Sequence, residues 1–125
     1  MKISTEGNTF DKYACIGDTI EREVGKFRLV ARLEFDDDGD PTDGDRYDDY
    51  ELRAWAHGKW QFVGIVIGVS YDGITLDDHM HSVWGHELNF PGGNHHLTAA
   101  ALEYMEEALE EAEELRKDMA ERLAA

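Results

Sequence analysis

The sequence predicts an α+β fold: a small antiparallel sheet of three or more strands packed against one long C-terminal helix. Three observations carry that expectation. Apolar and polar residues alternate from Lys26 to Phe35; a β-branched, almost uncharged run spans Trp60 to Tyr71 and ends in Asp72-Gly73; and apolar residues step by four and three from Ala101 to Met119. With 125 residues, 42% of them apolar, the chain can build one core but not two, so residues 1–125 read as a single domain. Within it, residues 26–96 are assigned to the sheet, with an acidic loop at 36–49, and residues 97–124 to the helix.

Taken in order, residues 1–25 are mixed and punctuated by glycine, and Ile20 and Val24, four apart, point weakly to a helix over Asp18–Val24. Beyond Lys26, Phe27, Leu29, Ala31, Leu33 and Phe35 face one way while Arg28, Arg32 and Glu34 face the other, the period of a half-buried strand. Asp36 to Asp45 is a run of turn formers that cannot bury itself, so residues 36–48 read as an exposed acidic loop. Tyr50–Ala56 fits a strand or a short helix. Trp60–Tyr71 reads as a central strand covered on at least one face, with Gly64 and Gly68 marking a bend or a close approach. Asp72-Gly73 suits a two-residue hairpin turn. The returning strand covers Ile74–Leu76 or continues through Val83–Leu88, and Phe90-Pro91-Gly92-Gly93-Asn94 stops regular structure. Thr98 is placed to cap a helix running to about Leu123. Ala101, Met105, Ala108, Ala112, Leu115 and Met119 form its apolar stripe, widened by Leu102, Leu109 and Leu123.

The net charge of −16 lies in two stretches. Glu34 to Glu51 carries ten acids and one base, Arg46; Glu103 to Glu121 carries nine acids and two bases, Arg116 and Lys117. The rest of the chain is neutral, with nine acids and nine bases. Such a balance disfavours direct binding to nucleic acid or an anionic membrane and favours a basic partner or a cation. No apolar run approaches the roughly 20 residues that span a bilayer, and Met1–Glu6 lacks the apolar core of a secretion signal, so the cytoplasm is the expected compartment. Cys15, the single cysteine, excludes an intramolecular disulfide and a cysteine zinc cage, and reads as a small apolar residue.

Three constellations bear on chemistry. On the helix, Glu103, Glu106, Glu107, Glu110, Glu111, Glu113, Glu114, Asp118 and Glu121 form a nearly all-acid face. Several are like charges at i,i+4, each pair costing a few tenths of a kcal/mol, about 0.2–0.5. Their carboxylates recur about every 5–6 Å along the axis, close to the spacing of phosphates along a nucleic-acid strand. In the loop, Asp36, Asp38 and Asp40 have the one-three-five spacing of an EF-hand, but the sixth position is Pro41 instead of Gly and the twelfth is Tyr47 instead of Glu. A loose cation site remains open there, and Asp43 and Asp45 add to the same charge. Third, His79, His81, His86 and Glu87 offer metal-ligating types, and a strand through His79-Met80-His81 places two imidazoles on one face. The surrounding glycine and glutamate spacing approaches the first cupin motif but departs from it twice, and the second motif has no room before the helix. No phosphate-binding loop, nucleophile elbow or cofactor motif is present.

The segments Trp60-Gln61-Phe62-Val63-Gly64-Ile65-Val66-Ile67, Tyr71-Asp72-Gly73-Ile74 and Ser82-Val83-Trp84-Gly85-His86-Glu87, followed by an acidic Ala/Glu helix, resemble a class of small acidic accessory proteins of tailed phages and prophages. The likeness covers roughly residues 26–115; His86 stands where the class has an aliphatic residue. The class carries no established activity, so the resemblance implies phage origin and no catalytic residues. The resulting expectation is a non-enzymatic protein, acting in the host cytoplasm, that binds a basic host or defence protein as a nucleic-acid mimic of anti-restriction or anti-CRISPR type. Glu103, Glu106, Glu107, Glu110, Glu114, Asp118 and the Asp36–Asp49 loop would make the contacts. The alternative is a metal-binding protein or metal-dependent enzyme using His79, His81, His86 and Glu87. Self-pairing of the helix stripe in a homodimer is a third reading.

Overall fold

A computed structural model describes residues 2–124. Strands β1 (Thr19–Val24), β2 (Phe27–Phe35), β3 (Gln61–Tyr71) and β4 (Ile74–Leu88) form one antiparallel meander in the order β1-β2-β3-β4. Helix α1 (Asp49–Ala56) lies between β2 and β3, and α2 (His95–Ala124) follows β4. The α+β class is as the sequence predicts.

Leu29, Ala31 and Leu33 of β2 and Val63, Ile65, Ile67 and Val69 of β3 alternate onto one face, where α2 covers them with Leu97, Ala101, Leu102, Met105, Ala108, Leu109 and Ala112. Three alanines in that contact let the helix axis approach the sheet closely. The apolar stripe outlasts the sheet: Leu115, Met119 and Leu123 are exposed, and so is Phe35 at the end of β2. On the opposite face Trp60 and Phe62 pack with Ala54 of α1, Tyr47, Trp55 and Phe90. The Trp60 indole donates to the Glu51 carbonyl (2.9 Å), fixing α1 to the sheet.

Two assignments differ from the expectation, and one open choice is decided. Residues 19–24 are a strand, not a helix, because pairing with β2 satisfies their backbone and puts Ile20 and Arg22 on the core side. Residues 49–56 resolve to a helix, begun by a capping box in which Asp48 accepts from the Glu51 amide and Glu51 from the Asp48 amide. Thr98 lies inside α2, not at its cap; its hydroxyl accepts from the Phe10 amide (2.9 Å) and donates to Asp11 (2.6 Å). Before the helix, buried Asn94 gathers Lys12 O, Asn89 N and Asn89 Oδ1.

The return strand is continuous. It uses 15 residues to pair with 11 of β3, and the surplus sits in register shifts opposite Gly64, Gly68 and the Val69–Ser70 step. The hairpin between them turns through Asp72 (φ 49°) and Gly73 (φ 81°), both left-handed as a type I′ turn requires. At the first bulge Trp84 crosses to the face away from α2 and lies on Gly64, where a Cβ would stand inside the indole ring. We therefore expect Gly64→Ala to lower unfolding stability by about 1–3 kcal/mol, measured by urea denaturation. A change near zero would show that the ring moves aside freely.

Candidate partner-binding surface

The acids of α2 divide into two groups. Glu106 accepts from the Ile3 amide (2.7 Å), and Glu113 pairs with Lys2 (3.0 Å), so both hold the N-terminal segment. Glu107 contacts His81 Nε2 (2.7 Å), with Glu111 3.8 Å from Nδ1 of the same ring. Glu103, Glu110, Glu114 and Asp118 are exposed, and no hydrogen bond or ion pair among the described residues engages them. The helix acids expected to bind a partner thus share one ridge, but Glu106 and Glu107 already have work inside the fold.

The acidic loop is elsewhere. Asp36 N donates to Phe62 O, Gly39 presses against the Phe62 ring, and Tyr47 packs at a tilt on Trp60 and edge-to-face with Phe62 and Phe90. The loop therefore covers the sheet face opposite α2, and the two acidic blocks do not form one surface. Nor is the loop uniformly exposed: Asp36 is buried, accepting from the Asp38 and Gly85 amides, and Pro41 is buried with it. The carboxylates that cluster are those of Asp36, Asp37 and Asp38, within 4.8 Å of one another, instead of Asp36, Asp38 and Asp40. Asp40 turns to Thr42, whose hydroxyl (2.6 Å) and amide (2.9 Å) donate to it and hold its pKa below the ordinary carboxylate value. Asp43 and Asp45 are exposed.

The histidines are dispersed. The β4 bulges break the period-two alternation, so His79 meets Arg32 on the face away from α2 (2.9 Å), while His81 meets α2. His86 bonds the Tyr104 hydroxyl (2.9 Å), and burial, with His96 nearby, lowers its pKa. Glu87 points the other way and accepts from Tyr47 (2.5 Å). His79, His81, His86 and Glu87 are not brought together as a ligand set. Cys15, expected as a small apolar residue, is exposed, in a turn where its amide donates to the Asp18 carboxylate (2.8 Å) and its carbonyl accepts from the Asp18 amide (3.0 Å).

Sequence reasoning missed Arg22. It is 4% exposed and donates to the carbonyls of Ser4, Asn8 and Glu21, tying residues 2–10 across the edge of the core. An arginine within an alternating strand was the signal. The sequence marks Trp84 only as part of the Ser82–Glu87 motif.

No helix among the described residues is long and apolar enough to cross a membrane. Comparison with known protein families, curated proteins and solved structures finds no match to this chain.

Burial and the neighbouring Glu87 push the Tyr47 hydroxyl from 10.0 up to about 12. Because the folded value is the higher one, the stability this group contributes is complete below pH 10 and is lost as pH rises towards 12. We expect Tyr47→Phe to flatten the fall in unfolding free energy over that interval, as read by denaturation at stepped pH. Parallel curves for the variant and the parent would contradict the assignment.

Proposed function

We propose that this chain is a non-enzymatic accessory protein of phage type that binds a basic surface of a host or defence protein, as a nucleic-acid mimic of anti-restriction or anti-CRISPR kind. The observation that carries this reading is the unpaired ridge of α2. Glu103, Glu110, Glu114 and Asp118 leave their charge to solvent, whereas the neighbouring acids are used inside the fold. From Glu110 to Asp118 the carboxylates step by about 6 Å along a rigid axis. A phosphate-binding groove meets negative charge at short, regular intervals, and a helix can present such a row without reorganising. The phage assignment rests on the sequence resemblance, and the partner class on charge alone.

Affinity capture from a host lysate tests it. We expect a partner retained at low salt and released as ionic strength rises, since exposed charges farther apart than a Debye length, about 8 Å at physiological salt, are largely screened. Glu110→Lys with Glu114→Lys should weaken capture about tenfold or more while leaving the fold intact, because neither side chain has a hydrogen-bond or ion-pair partner among the described residues. Capture that persists at high salt, or that survives both reversals, refutes the reading.

A further inference from the structure

We propose that Trp84, with Asp37 and Asp38 beside it, forms a socket for an arginine side chain of a partner polypeptide. The indole rests on Gly64 with 47% of the residue still exposed, and the chain turns away at once through Gly85 (φ 85°). One face of the ring is thus seated on the sheet while much of its surface stays open to solvent. Next to it lies a concavity of about 480 Å³ lined by Asp36, Asp37, Asp38, Trp84 and Gly85.

Asp36 builds this place and does not serve the ligand. It is 8% exposed, and its two oxygens accept from the Asp38 amide (3.1 Å) and the Gly85 amide (2.9 Å), which locks the acidic loop against the Trp84 bulge. Asp37 and Asp38 are exposed, and among the described residues nothing hydrogen-bonds or ion-pairs with their carboxylates. A half-open indole and two free carboxylates converge on one hollow.

That combination selects a flat cation. A guanidinium stacks on an indole and directs its N–H fork at carboxylates in its own plane, and it sheds water more readily than an ammonium. Lysine meets the charge but has no plane to stack. A bare divalent ion would use the carboxylates and leave the indole idle. The socket faces away from α2, so its failure and that of the helix ridge are distinguishable.

The test is a titration of the full chain with acetyl-Gly-Arg-Gly-amide, followed by the Trp84 indole N–H and the amides of residues 36–38 in NMR. Parallel titrations use the citrulline peptide (same shape, no charge), the lysine peptide and calcium chloride. We expect saturable shifts at those positions with arginine, binding about threefold or more weaker with lysine, and no saturation with citrulline. Asp37→Asn with Asp38→Asn, which alters only exposed side chains, should weaken the arginine peptide about fivefold or more. The Glu110→Lys, Glu114→Lys protein should bind it as the parent does. Citrulline binding as well as arginine, an unaffected double asparagine variant, or calcium alone moving these resonances would overturn the proposal.

Discussion

Strand β3 is buried from Phe62 to Val69, on both of its faces. A four-stranded sheet in a chain of 125 residues has little material with which to meet that demand. One face is roofed by α2 and the other by the 36–48 loop, α1, the Trp60–Phe62 cluster and Trp84. Each roof must be apolar beneath and solvated above. The acids are the upper surfaces of two roofs, which is why a charge that looks like two blocks along the chain becomes two opposite faces of the molecule.

The clustering of glutamates on α2 carries a repulsive cost, and the fold relieves part of it from outside the helix. Lys2, the Ile3 amide and His81 each take up one acid, and the first two also fasten the N-terminal segment over the edge of the core. Arg22 completes that fastening from the β1 side. A buried guanidinium is costly unless its nitrogens are hydrogen-bonded, and here three backbone carbonyls each engage one of them. Ordering residues 2–10 and quieting part of the acidic face are therefore one arrangement. What remains unquieted is the outer ridge from Glu103 to Asp118.

Period decided what the sequence could disclose. The alternation of β2, the β3 run, the Asp72-Gly73 turn and the stripe of α2 are local patterns, and they stand in the structure except where the sheet ends, at Phe35 and beyond Ala112. β4 defeated the same reading because its extra residues sit in bulges, and a bulge carries no periodic signature. The histidine cluster failed for that reason: His79 and His81 share a face only in an unbroken strand. The division of the helix acids into engaged and free ones was hidden too, since it depends on Lys2, Ile3 and His81, distant in sequence. The β1 segment is ambiguous in sequence, since Ile20 and Val24 fit a helix as well as Ile20 and Arg22 fit a strand, and only pairing with β2 decides between them.

The two proposed surfaces differ in the physics they use. The α2 ridge acts through exposed charges on a rigid rod, so its effect is long-ranged, tolerant of exact placement and erased by salt. The Trp84 socket acts at contact distance, through an indole whose position is set by Gly64 and by the Asp36–Gly85 bond. Charge arrays mainly raise the rate of encounter and reject wrong partners, whereas a seated aromatic fixes a single side chain. Since the sheet lies between them, one flat partner cannot cover both. In the proposed reading, a partner that uses both must reach around an edge of the sheet. The free edge of β4 carries Trp84 on one side and His81, with Glu107 against it, on the other. That edge is therefore the shortest route between the surfaces.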